Sequence, residues 1–485
     1  MEKWLIIYSD YEQEKRALQL LNGKLREKID FPTECVEASA VTQEHLTKYH
    51  LILVGTANKN PIIRELIENK ILESCSLPQQ YFIFVGENYY NPEKMMMVAS
   101  GFDSNGVLYG AVDLVNLYLG DKVHDTKGYN IVDSRFYTTA FVQKTPAFQR
   151  LSAPHVQERG IWCWAHCIYD YRKFFEHMMM LKLNLVVVWT DFAPLNAKEV
   201  VEYAHSCGIK LIWGYSWGWE TGSRVVADFS DPTVQAEWAE KIIGKYETEF
   251  MSTGCDGIYF QTFTERKENN VNGKCVAETV TQWVNYVFEK MRARHPLLRV
   301  QFGLHATSVK EDTEYLKGVH KDMDIVWEDC GAFPYAYYPN VNERKETLDF
   351  SAKISTLRGL DDKFSVVLKG MTTLNWATFE HQTGPYMMGC DTAHYVTNRS
   401  QEKRKVWRLF QSEWLTKYPY VSELIKHFLL TRKGDFGVQM LVEDGLFEDQ
   451  IWLPVALLSE CLWQSDLSDD ELITRVARFP NVEFA

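Results

Sequence analysis

The chain reads as an α/β protein: a small N-terminal α/β domain, a (β/α)8 TIM barrel and a short helical C-terminal region. Three observations predict this. Short apolar runs of strand length alternate with helical patterns from the first residues onward. A second alternation begins at Arg159 and offers eight strand candidates over roughly 240 residues, the size of a (β/α)8 barrel. Beyond residue 400 the periodicity is helical.

Taken in order, "WLIIYS" (4–9), "HLILVGT" (50–56) and "YFIFVGE" (81–87) are β-branched and aromatic runs. Helical stretches follow at 11–27, 60–73 and 105–119, the last opening at Asp103-Ser104-Asn105-Gly106. These make a small domain over residues 1–125. Residues 126–158 mix Gly, Pro, Ser and charge without sustained period and read as a linker with a strand or two in it. The barrel, 159–400, has strand candidates at 160–166, 183–190, 209–217, 256–264, 299–306, 323–329, 364–371 and 385–391. Amphipathic helices at 170–182, 196–208 and 276–295 supply cover between them. An open doubly wound sheet is the alternative, but no GxGxxG turn follows residue 166. The tail, 401–485, reads as helices, one starting at Ser468-Asp469-Asp470-Glu471.

Composition narrows the partners. A formal charge of −13 on 485 residues, without a basic cluster interleaved with aromatics, excludes a nucleic-acid face. No apolar run is long enough to span a bilayer, so no membrane partner is expected. The ten cysteines have neither framework nor zinc-site spacing, and no HxH or HExxH occurs, so no metal or other cofactor is expected. "MEKWLIIYSDYEQ" lacks the basic-then-apolar order of a signal peptide, which leaves the compartment open. A homo-oligomer is compatible with the sequence.

Parallel strands wrapped by helices are apolar throughout, and their C-terminal ends open on one face where barrel sites lie. Polar residues at those ends are therefore informative. The fourth strand runs into Glu265 and the sixth into Trp327, Glu328 and Asp329. The second ends at Trp189 and Asp191, the third carries Tyr215, Trp217 and Trp219, and the fifth ends at His305. The seventh carries Lys369 and runs on to Trp376; the eighth ends at Asp391. Flat aromatic rings stack on the apolar C–H faces of sugars, while paired carboxylates perform the acid/base work of glycosidic cleavage. Glu265 and Glu328 are the leading pair, with Asp329 beside them. A catalytically silent glycan-binding barrel is the alternative, and a Schiff base on Lys369 is a third reading.

"FDSNGVLYGAVDLVNLYL" (102–119) resembles the last helix of the small domain that precedes the barrel in family 20 β-hexosaminidases and family 67 α-glucuronidases. "RGIWCW" (159–164) resembles the opening of their first barrel strand. The resemblance implies a glycoside hydrolase acting on an amino-sugar- or uronate-containing glycan. It also implies a general-acid role for Glu265 and a substrate-binding role for Arg159. Family 20 enzymes carry an adjacent Asp-Glu pair where this chain has Thr264-Glu265. A carboxylate such as Glu328 or Asp329 would then complete the mechanism.

Overall fold

The computed structural model describes residues 3–28, 34–118, 147–218, 227–262, 270–271, 273–305, 312–328, 344–369, 371, 384–434, 436–442, 448–479 and 482–483. Two compact units are present: residues 1–155 with 467–482, and residues 156–466 with 483–485.

The first unit is a six-stranded sheet. Its strands are β1 (Trp4–Tyr8), β2 (Glu34–Glu37), β3 (His50–Thr56), β4 (Tyr81–Asn88), β5 (Asn91–Gly101) and β6 (Phe148–Ser152), in the order β2-β1-β3-β5-β4-β6. The first three and β5 are parallel, whereas β4 runs antiparallel to β5 and β6. Helices α1 (Tyr11–Lys28), α2 (Gln43–Lys48), α3 (Pro61–Glu68) and α4 (Ser104–Asp113) cover the sheet. Asn60 starts α3 by accepting from the amides of Ile62 and Ile63, and Asp103 starts α4 by accepting from Gly106. Leu5, Ile7, Leu51, Leu53, Phe82 and Val98 form a core with Ile62, Ile63 and Leu66 of α3. The stretch read as linker thus contributes an edge strand, β6.

The second unit is a closed barrel of eight parallel strands. Chain order gives β7 (Glu158–Trp164), α5 (Tyr171–Met180), β8 (Leu185–Trp189), α6 (Ala197–Ser206), β9 (Lys210–Ser216) and α7 (Pro232–Lys245). Then come β10 (Gly257–Gln261), α8 (Val276–Arg294), β11 (Val300–His305), β12 (Asp324–Glu328), α9 (Arg344–Ser355) and β13 (Phe364–Leu368). The ring closes through α10 (Ala393–Thr431), β14 (Phe436–Leu441) and α11 (Leu453–Trp463). Every residue of α11 is buried, as an all-round apolar helix requires.

The eighth strand corrects the sequence reading. It is β14, inside the region read as a helical tail, and not 385–391. Pro385 lacks an amide donor, Gly389 takes a positive φ of 64° and Met387 is 52% exposed, so that segment cannot join a buried ladder. By contrast, "FGVQML" is buried along nearly its whole length. The last helix, α12 (Asp469–Arg478), belongs to the first unit, so residues 401–485 do not form a separate body.

The N-terminal end of the barrel is fastened by charge. Arg299 gives both terminal nitrogens to the Glu158 carboxylate at 2.7 Å and its Nε to Asp324 at 2.6 Å, joining β7, β11 and β12. Burial works to raise the Glu158 pKa, but the hydrogen bonds and charge of Arg299 outweigh it, so the carboxyl lies below its usual range.

Candidate functional site

Register around the ring drops by about eight residues per circuit, the shear of a (β/α)8 barrel, so inward side chains stack in layers of four from alternate strands. One layer holds Val187, Tyr259, Val326 and Gln439. Above it come Trp162, Gly214, Gly303 and Val367, and then Trp189, Gln261, Glu328 and Leu441. Trp164 and Lys369 reach the level above, at the C-terminal mouth.

Glu328 is the carboxylate of this upper lumen, and it is buried. Tyr259 Oη donates to its Oε1 at 2.7 Å. Gln261 Nε2 donates both to the same oxygen and, at 2.8 Å, to the Tyr259 hydroxyl. Lys369 Nζ stands 3.4 Å from the other oxygen, Oε2. Donors and a cation converging on a carboxylate favour its charged form. Burial, followed by the charge of Glu328, pushes the Tyr259 phenol far above its usual range, so it stays a neutral donor.

Aromatic rings wall this group. Trp189 packs against Trp162, Trp164 and Tyr259 at centroid distances of 6.2, 5.7 and 6.1 Å. Trp164 is only half-buried and so presents ring surface at the mouth. The arrangement is a carboxylate ringed by donors and a cation beside flat apolar faces, suited to holding a polyol ring and, when ionised, to stabilising positive charge beside it.

Of the residues singled out from sequence, Glu328, Lys369 and Trp189 come together here. Glu265, Asp329, Trp219 and Trp376 lie outside the described residues. His305 ends β11 in register with Glu328. Asp191 follows β8 on the mouth side, where its carbonyl accepts from Lys245 Nζ at 2.7 Å.

Five readings are corrected. Arg159 is fully buried at the N-terminal end of β7, the opposite end from the mouth. Its guanidinium donates to the carbonyls of Val156, Gln157 and Lys182 and lies 5.0 Å over the Trp463 ring, so it is a structural clamp. Tyr215 stacks on Phe250 and donates to the Ile242 carbonyl in α7, outside the barrel. Trp217 lies buried flat on Phe260 at 3.6 Å. Trp327 donates to Ser351 in α9 at 3.0 Å. The last three fail because alternate residues of a strand face opposite sides: inward Glu328 sends Trp327 outward. Asp391 lies before α10 on no barrel strand, its amide bonded to the Tyr169 carbonyl at 2.8 Å.

Tyr259, Gln261 and Trp164 were missed. Tyr259 lay hidden inside an apolar run that Gln261 ends, although counting by two down β10 and then across the ring at barrel shear would have placed Gln261 level with Glu328 and Tyr259 beneath it.

Loops at the mouth are tied by Glu448, which follows β14. Its Oε1 accepts from the Tyr169 amide at 2.7 Å, and the side chain is fully buried. Burial pushes the carboxyl up to about 8, against the backbone hydrogen bonds that lower it. Among the described residues no group of His, Cys, Asp and Glu could hold a metal, and no helix is long and apolar enough to cross a membrane.

No protein-family model matches the chain, and no curated protein matches it. Solved structures do. A family 20 exo-β-N-acetylglucosaminidase from Vibrio harveyi, in complex with N-acetylglucosamine, superposes with a TM-score of 0.51 at 11% identity, covering 98% of this chain and 73% of that one. The Streptomyces coelicolor A3(2) family 20 β-N-acetylhexosaminidase gives 0.51 at 10% identity, covering 98% and 90%. A Streptomyces plicatus β-hexosaminidase in complex with its product gives 0.51 at 10% identity, covering 98% and 89%. A structure described as CpGH84D is matched over 76% of this chain and 57% of its own length, with a TM-score of 0.46. At these identities the likeness is one of fold, and that fold is the small α/β domain and TIM barrel of the family 20 β-hexosaminidases.

Proposed function

We propose that the protein is a glycoside hydrolase that cleaves a glycosidic bond in an amino-sugar- or uronate-containing glycan at the C-terminal mouth of its barrel. The observation that carries this reading is the buried Glu328 carboxylate, addressed by Tyr259, Gln261 and Lys369, with the Trp189 ring at its level and the Trp164 ring above. The β-hexosaminidases that share the fold support it.

In this mechanism Glu265 donates a proton to the leaving oxygen. Glu328, held charged, faces the oxocarbenium-like transition state and acts as nucleophile or as base towards a water. Asp329 assists beside it. Trp164 and Trp189 take the sugar face, while Asp191, Trp219, His305 and Trp376 are proposed contacts to hydroxyls or to the departing group. Thr264, in place of the Asp of a family 20 pair, favours an enzyme carboxylate over substrate assistance.

A panel of chromogenic N-acetylhexosaminides and glucuronides tests the proposal. Turnover that is lost in both Glu265→Gln and Glu328→Gln is the expected result. Glycan binding without turnover by the wild type would replace it with the silent-barrel reading. Inactivation by borohydride in the presence of a carbonyl substrate would point to a Schiff base on Lys369 instead.

A further inference from the structure

We propose that Tyr259, threaded through a slot made by two glycines, is the positioning residue that fixes the Glu328 carboxylate and sets the pH at which it ionises. The proposal rests on reading Glu328 as the charged carboxylate of the site.

Tyr259 belongs to a layer two levels below Glu328, with one layer of inward positions between them. The intervening layer makes the contact feasible by contributing Gly214 and Gly303. A Cβ at Gly214 would lie 3.2 Å from Tyr259 Cδ1, tighter than ordinary contact. One at Gly303 would fall inside the van der Waals envelope of the Tyr259 hydroxyl and Cζ, and 2.9 Å from Gln261 Cγ. The phenol therefore rises where two side chains are missing. Its oxygen accepts from Gln261 Nε2, which turns the remaining O–H towards Glu328 Oε1. A tyrosine kept only for packing would need neither the slot nor the amide that orients its hydroxyl. The titratable groups facing Glu328 include Tyr259 from β10 and Lys369 after β13, with His305 as its register neighbour on β11.

The test follows the carboxylate itself. Protein labelled with 13C at the glutamate carboxyl carbon is titrated by NMR, with the Glu328 resonance identified by its loss in Glu328→Gln. Removing one hydrogen bond to the charged form in Tyr259→Phe is expected to raise the midpoint by about 1 pH unit, tenfold in the ionisation constant. The acidic limb of kcat/KM should move up with it. Gly303→Ala, which evicts the same hydroxyl, is expected to give the same shift and to add none in the Tyr259→Phe background. An unchanged midpoint in Tyr259→Phe overturns the proposal, as does a further shift from Gly303→Ala in that background. Should Gly303→Ala fail to fold, Tyr259→Phe decides alone. Wild type that turns over no glycoside would sink the hydrolase reading, while the NMR midpoints would still judge the role of Tyr259.

Discussion

Replacing Glu448 with Gln isolates what a buried carboxyl at the barrel mouth costs the fold. The carboxyl is pushed from an ordinary 4.5 up to about 8, with burial as the leading cause. Below pH 4.5 it is protonated whether the chain is folded or not, so its contribution is fully present there. Between 4.5 and 8 the folded state keeps the proton that the unfolded state releases, and stability falls by about 1.4 kcal/mol per pH unit. From pH 4.5 to 7 the loss is about 3 kcal/mol. Gln has no proton to release, and its carbonyl can still accept from Tyr169. Urea unfolding followed by Trp fluorescence across that range should therefore show the variant gaining about 3 kcal/mol on the wild type as pH rises. At the acidic end it should trail by about 1 to 3 kcal/mol, because the amide brings a donor into a buried site. Parallel stability curves for the two proteins would refute the reasoning.

Other consequences are as specific. Lys182→Met removes the cation 3.0 Å from Glu460 in a pair that is 1% exposed on each side, and should cost about 3 to 5 kcal/mol in the same assay. Adding Glu460→Leu should recover most of that loss. Trp164→Ala should weaken glycan binding about tenfold by titration calorimetry, about 1.4 kcal/mol, whereas Tyr215→Phe should leave binding unchanged because that hydroxyl serves α7. Glu158 titrates below its ordinary 4.5, so its contribution is present above that pH and fades as pH falls through the lowered value. Arg299→Met should remove that acid-side dependence from the unfolding curve.

The barrel was legible because its signal is long-range and redundant: seven of the eight strand candidates are strands of the ring, each a buried apolar run. The failure at the eighth has a local cause. "PYMMGCD" has strand composition, yet Pro385 and a Gly389 in the left-handed region deny it an extended, paired backbone. In the site, strand ends revealed Glu328 and Lys369 because charge in an apolar run demands an explanation. Facing direction was harder to read. Trp327 and Tyr215 have the right residue type on the wrong parity, and Arg159 stands at the wrong end of its strand. Tyr259 was hidden for the opposite reason: its polarity is one hydroxyl on a ring, and the glycines that let it reach Glu328 sit on two other strands.

The most direct measurement is a crystal structure of the protein soaked with a sugar-derived lactone, in N-acetylated and uronic forms. The account predicts the ring against Trp164, with its anomeric carbon within reach of Glu328 and Glu265. A lactone bound elsewhere, with Glu328 still held by Tyr259, Gln261 and Lys369 in a lumen that admits no ligand, would contradict it.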